Sequence, residues 1–253
     1  MHKLIIEGAH KLQGEVRISG AKNAALPLIA ATLLARGWHT IHNVPDLRDT
    51  RTMLALLETL GAHWKWENST LLVNTDSLNN FEASYDLVKT MRASILVLGP
   101  LLARMGKTRV SLPGGCAIGA RPIDFHLQGL KNMGATLALE DGYVTASAKK
   151  HLTGGNVYFD VPSVTGTENI LMAAVLAKGE TVIKNAAREP EVSNLVDMLI
   201  SMGARISGKG TERLTIQGVK KLSPAEIFTI PDRIETGTYL IAVGTAGGEA
   251  SVT

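Results

Sequence analysis

The chain has 253 residues, of which 45% are apolar and 4% aromatic, and it carries a formal net charge of +3 from 26 basic and 23 acidic side chains. That is enough apolar material for one large core or two smaller ones. The mild charge without a Lys/Arg block argues against a nucleic-acid surface and suits small anionic ligands. A single cysteine excludes an internal disulfide and points to a reducing compartment, the cytoplasm by default. No apolar run reaches the ~18 residues a membrane span needs, so neither insertion nor export is expected.

In chain order, "ISGAKNAALPL" from Ile18 reads as the end of a strand entering a helix, with Lys22 and Asn23 at the helix N-terminus and Pro27 in its first turns. Free N–H groups and the dipole favour an anion there, and a lysine adds a point charge suited to phosphate. The ordinary alternative is a solvated lysine, and the motif lacks the glycines and the Lys-Ser/Thr of a P-loop. The helix runs through "AALPLIAATLLA" to Gly37 and a strand follows. "LETLGAHWKWENSTLLVN" is then a helix end, Gly61, and two strands joined by a polar turn.

The same succession returns. "RASILVLGPLLARMGKTRVSL" and "LKNMGATLALEDGYVTAS" carry Gly106 and Gly134; "TENILMAAVLAKGETVIKNA" and "LISMGARISGKGTERLTIQG" carry Gly179 and Gly203; "ETGTYLIAVGTAGGEASVT" begins a fourth round with Gly248. Intervals of 69, 73 and 69 in the first series of glycines (37, 106, 179, 248) and of 73 and 69 in the second (61, 134, 203) keep the two in step. The fold class implied is α/β (α+β): βαβαββ units of about 70 residues that pack on one another, because no unit buries its helical faces alone. The fourth unit stops early, so the chain is expected to be a C-terminally truncated piece of something longer.

The register breaks in unit two, where 28 residues separate Gly106 from Gly134 against 24 in units one and three. The extra residues fall in "SLPGGCAIGARPIDFH", which holds the lone cysteine, Cys116, between Gly115 and Gly119, with Arg121 five residues on. Insertions on a regular scaffold are where function is grafted, and a nearby cation lowers a thiol's pKa. An inert thiol is the plain alternative. His126 and Asp124 do not give Cys116 a zinc spacing, and His126 falls on the helix-face position of Met53 and Leu195, which suits a half-buried packing histidine. Arg92, Ser163 to Glu168, and Arg233 to Thr236 occupy the helix entrances of units two, three and four. Arranged about a pseudo-threefold axis, these entrances make an anion-attracting centre; taken singly, they are N-caps.

"SGAKNAALP", "PGGCAIGARPIDFH", "NAAREPEV" and "IPDRIETGTYL" resemble the enolpyruvyl transferases, in the branch that acts on UDP-N-acetylglucosamine. The resemblance covers the whole chain, and the cysteine loop separates that branch from 5-enolpyruvylshikimate-3-phosphate synthase. It implies an inverse α/β barrel, with residues 22–229 as one complete three-unit domain and residues 1–21 and 230–253 as parts of a second. It implies transfer of the enolpyruvyl group of phosphoenolpyruvate to the sugar 3′-hydroxyl with release of phosphate, the first committed step of peptidoglycan synthesis, without a cofactor or metal. By the same carry-over, Cys116 donates the proton to carbon 3, forms a covalent adduct with phosphoenolpyruvate and is the target of fosfomycin. Lys22 holds phosphoenolpyruvate and Asn23 the sugar nucleotide, while Arg92, Arg121, Pro122, Ile123, Asp124 and Phe125 bind the nucleotide and its diphosphate. Ser163, Val164 and Thr165 complete the diphosphate site, where Val161 replaces a lysine found in some members. The family's general base and further arginines lie beyond this chain, which is therefore expected to be inactive or nearly so alone. A non-catalytic nucleotide-sugar-binding module and a structural repeat domain are the alternatives from other classes.

Overall fold

A computed structural model describes residues 3–5, 7–8, 10–88, 91–112 and 123–253. The first round of elements is β1 (Leu12–Val16), α1 (Lys22–Ala31), a 3-10 turn (Thr32–Leu34), β2 (Trp38–His42), α2 (Arg48–Thr59), β3 (His63–Glu67) and β4 (Thr70–Asn74). The second is β5 (Glu82–Ala83), α3 (Tyr85–Val88), a 3-10 segment (Arg92–Val97) leading into α4 (Leu98–Met105), β6 (Lys107–Ser111), α5 (Asp124–Asn132), β7 (Thr136–Glu140) and β8 (Tyr143–Ser147). The third is β9 (Asn156–Tyr158), α6 (Val164–Ala174), β10 (Glu180–Lys184), α7 (Pro190–Ser201), β11 (Arg205–Ser207) and β12 (Arg213–Gln217), after which come β13 (Glu226–Phe228), α8 (Arg233–Ala246) and β14 (Gly248–Val252).

Three four-stranded sheets follow one plan. Their orders are β13-β2-β4-β3, β5-β6-β8-β7 and β9-β10-β12-β11, each with a parallel first pair and antiparallel second and third pairs. One position departs from the sequence reading. The strand expected before α1, around Ile18, is absent from the first sheet, and its place beside β2 is taken by β13, from the far end of the chain. The segment at Ile18 to Gly20 instead makes an isolated bridge between Gly20 and Pro231, because the nearby strand β1 pairs in parallel with β14 in a separate two-stranded sheet.

The helices are of two kinds, and their composition explains it. In α1 every residue from Ala24 to Ala31 is buried, and in α6 every residue from Gly166 to Ala174. Helices apolar on all sides belong inside. With α4 and its 3-10 lead-in, these two form the centre, α4 against α6 and α1 against the 3-10 segment. Small residues permit the close approach: a Cβ on Gly99 of α4 would lie 2.3 Å from both the backbone and the side-chain oxygen of Asn169 on α6. The amphipathic helices α2, α5 and α7 flank this centre, α2 and α7 on α1 and α5 on α6. The strands alternate buried and open residues, as in β12 with Leu214 and Ile216 inward, so the sheets form the outer layer. The helix-ending glycines Gly37, Gly61, Gly106, Gly134, Gly179 and Gly203 all have positive φ; Gly106 at φ 72° caps α4, its N–H donating to Leu102 O, a conformation costly for other residues.

α8 differs from every other helix, since none of its residues is buried and Ile234, Leu240 and Ile241 are more than half exposed. Among the described residues no helix is long and apolar enough to cross a membrane, and no group of three or more His, Cys, Asp or Glu gathers as a metal site would need.

Candidate functional site

The three central helices begin at the same pole of the molecule. There they surround a cavity of about 500 Å³ lined by Lys22 and Asn23 of α1, Met91 and Arg92 at the 3-10 segment, Ser163, Val164, Thr165 and Glu168 of α6, Asp49 of α2, Glu191 of α7 and Arg233 of α8. Three helix starts converging on one space give it a positive field before any side chain is counted.

The caps differ in what they leave over. Ser163 behaves as an N-cap, its hydroxyl accepting from Gly166 N at 3.2 Å, and Asp232 caps α8 by accepting from Ile234 N and Glu235 N. At α1 the cap position is Ala21, which has no side-chain acceptor, and Lys22 N reaches only Asp232 Oδ2 at 3.4 Å. Lys22 Nζ lies 3.0 Å from Asp49 Oδ2, with both side chains about a third or more exposed. The pair holds the ammonium at the cavity edge and is weak enough to exchange for a ligand anion.

Behind the lining, His126 is fixed from two sides. It is 2% exposed, so it is fully buried rather than half-buried as the helix-face pattern suggests. Asn169 accepts from Gly99 N through Oδ1 at 2.6 Å, which turns its Nδ2 to Ile95 O at 2.9 Å and to His126 Nδ1 at 2.9 Å. Nδ1 is therefore the acceptor, and the ring proton sits on Nε2, 3.4 Å from Thr165 Oγ1. Burial, aided by the Arg92 guanidinium, pushes the imidazole pKa down to about 4, so the ring is neutral at physiological pH. A neutral Nε2–H facing Thr165 leaves the threonine hydroxyl proton for another acceptor.

Of the residues singled out in the sequence, Lys22, Asn23, Arg92, Ser163, Val164 and Thr165 meet at this cavity. Asp124 and Phe125 line a second groove instead, with Lys131, Tyr158 and Asp160; Phe125 packs edge-on to Phe159 with ring centroids 6.0 Å apart, and Ile123 caps α5. Cys116, Arg121 and Pro122 lie outside the described residues. Glu168 and Arg233, read from the sequence only as parts of polar helix entrances, also line the cavity, and Asp49 and Glu191 were given no role by sequence. The ion pairs Lys22–Asp49 and Arg233–Glu191 join different helices and carry no mark in a linear pattern.

Comparisons with known proteins place the chain in a family. The family description EPSP synthase (3-phosphoshikimate 1-carboxyvinyltransferase) matches residues 6–253. A curated relative from Desulfosudis oleivorans, named UDP-N-acetylglucosamine 1-carboxyvinyltransferase, is 60% identical over 253 residues, and one of the same name from Trichlorobacter lovleyi is 56% identical over 252 residues. Each alignment takes in 100% of this chain and 60% of the relative, so the chain spans about 60% of the length of these relatives. Among solved structures, the enolpyruvyl transferase NikO from Streptomyces tendae superposes with a TM-score of 0.81 at 26% identity, over 94% of this chain and 56% of that one. An EPSP synthase from Acinetobacter baumannii does so with a TM-score of 0.74 at 18% identity, over 98% and 56%, and this second likeness is one of fold alone.

Proposed function

Because the chain belongs to the family of EPSP synthase (3-phosphoshikimate 1-carboxyvinyltransferase), we propose that its cavity is part of the active site of an enzyme that transfers the enolpyruvyl group of phosphoenolpyruvate to the 3′-hydroxyl of UDP-N-acetylglucosamine. The observation that carries this reading is the meeting of Lys22, Asn23, Arg92, Ser163, Thr165 and Arg233 around one space at four helix starts. Two substrates that between them carry a carboxylate, a phosphate and a diphosphate need such a field.

In the proposed reaction the sugar hydroxyl oxygen bonds to carbon 2 of phosphoenolpyruvate, its proton leaves to a base, and carbon 3 gains a proton from the Cys116 thiol. The tetrahedral ketal then returns a proton from carbon 3 and releases inorganic phosphate, which leaves the enol ether. Lys22 would exchange Asp49 for a substrate anion, a switch between two charge-assisted contacts. Arg92 and Arg121 suit the diphosphate because a guanidinium grips two oxygens at once. Thr165, with its hydroxyl proton released by His126, adds a neutral donor at the start of α6. Cys116 acts through proton donation, forms a thioether adduct with phosphoenolpyruvate, and as a free thiol is the nucleophile that fosfomycin alkylates. The site is completed by residues in the part of the relatives' length that this chain does not match. Residues 22–229 are the three-unit domain of this scheme, and the work is done in the cytoplasm, where phosphoenolpyruvate and nucleotide sugars are made.

Intact-mass analysis after exposure to fosfomycin, with and without UDP-N-acetylglucosamine and beside a general thiol reagent, tests the proposal. A single adduct on Cys116 that forms faster with the sugar nucleotide is expected, together with its loss in Cys116→Asp. An unmodified Cys116 that the general reagent reaches, in a chain extended to the relatives' full length, would remove the assignment.

A further inference from the structure

Helices α6 and α7 each bring a carboxyl to the wall of the cavity. Glu168 is 1% exposed and Glu191 3%, and both line the space. Glu191 accepts from Arg233 Nε through Oε1 at 2.9 Å. Its Oε2 and the Oε1 of Glu168 are buried and have no hydrogen-bond partner among the described residues. A buried polar atom left unmatched costs free energy, and two ionised carboxylates in one buried wall would also repel each other.

The surrounding charges do not relieve this. On α1 and α2, Lys22 is held by Asp49; Arg92 on the 3-10 segment acts on His126 of α5, which is neutral. Glu189, just ahead of α7, adds a further negative charge, and α4 lends no titratable side chain to the lining. Among the described residues Arg233 is the cation bonded to this wall, through Glu191, and its own side chain is 51% exposed.

We propose that Glu168 is a positioning residue of this cavity, held as a neutral carboxylic acid beside ionised Glu191, so that the carboxyl pair carries one negative charge and Arg233 remains available to an anionic group of the ligand. Burial, then Glu191 and then Glu189, raise its carboxyl well above the ordinary range, in agreement with the geometry. The proposal rests on reading the cavity as the anion site of the transferase. When the Glu168 proton leaves at higher pH, a second negative charge appears beside Arg233 and competes with the ligand.

The test labels the glutamate carboxyl carbons with 13C, assigns the Glu168 and Glu191 signals with Glu168→Gln and Glu191→Gln, and titrates the protein with sulfate, whose charge is constant over the range used. The Glu168 signal should remain that of a protonated acid at pH 7, and its transition should move down in Glu191→Gln. Sulfate affinity should fall about tenfold, the equivalent of one pKa unit, as Glu168 ionises, and this fall should be missing in Glu168→Gln. If that variant does not fold, the titration of the unsubstituted protein decides. A Glu168 signal that titrates near ~4.3, the free glutamate value, overturns this proposal alone. Sulfate that binds at no pH removes the anion-site reading, and this proposal with it.

Discussion

The central helices share two poles, and the poles are built in opposite ways. Where the helices end, Arg104 donates through Nη1 to Leu33 O at 2.8 Å and Thr75 Oγ1 at 2.9 Å, and through Nη2 to Thr75 O at 2.7 Å. His39 accepts from Ala225 N through Nδ1, so its Nε2 donates to Ala35 O at 3.2 Å. The carbonyls that helices leave unmatched at that end are matched by neighbours. Where the helices begin, α1 has no side-chain cap, and Glu168 and Glu191 each keep an oxygen without a partner. Polar groups satisfied within the chain hold a fold together, whereas those left over mark where a ligand completes it.

That contrast is open to measurement. Arg104→Ala strips a donor from the carbonyls of Leu33, Ala35 and Thr75 and from the Thr75 hydroxyl, and should cost about 3 kcal/mol in denaturant unfolding, while sulfate binding by the remaining folded protein stays intact; lost binding with unchanged stability would reverse the assignment of the two poles. His126 should come next. Its folded pKa of about 4 lies below the unfolded value near 6.5, so its contribution is complete above pH 6.5 and is lost as pH falls toward 4, a change of roughly 3 kcal/mol. Unfolding free energies of His126→Gln should lack that part of the acid slope, and an unaltered slope would mean that the ring is not held neutral. A smaller loss, about 1 kcal/mol, is expected for Ser163→Ala through its cap, read as a shift in the urea midpoint. Smallest of all in stability is Lys22→Ala, within about 0.5 kcal/mol for an exposed ion pair, yet it should weaken sulfate or phosphoenolpyruvate binding about tenfold or more in calorimetry. Were Lys22→Ala instead to unfold the protein, the open pole would be structural after all.

Much of this was legible in the linear sequence because repeats leave a period. The seven spaced glycines, the all-apolar α1 and α6, and the polar starts at Lys22, Arg92 and Ser163 are local patterns that map directly onto backbone conformation and burial. What escaped has no local signature. Glu168 and Glu191 are 23 residues apart on different helices, and only their packing makes them neighbours. Asp49 sits in the first turn of α2, where an acid is favoured by the dipole anyway, so its contact with Lys22 does not stand out. The stretch at Ile18 reads as the end of a strand, and β1 does end just before it, but the repeat does not reveal that β1 pairs with β14 rather than with β2. His126 looked like a packing residue, and it is one; the network that sets its tautomer depends on Asn169 of the next unit, itself oriented by Gly99 N.

The strand swap in the first sheet also orders events at birth. Ile41 in β2 takes Ile227 in β13 as its parallel partner, 186 residues later. At synthesis rates of about 5–20 residues per second, the first sheet to leave the ribosome waits roughly 10–40 s with one edge bare, while the second and then the third acquire all four of their strands. The unit made earliest is thus finished last, and β13 acts as a clasp that completes it only after all three units are present.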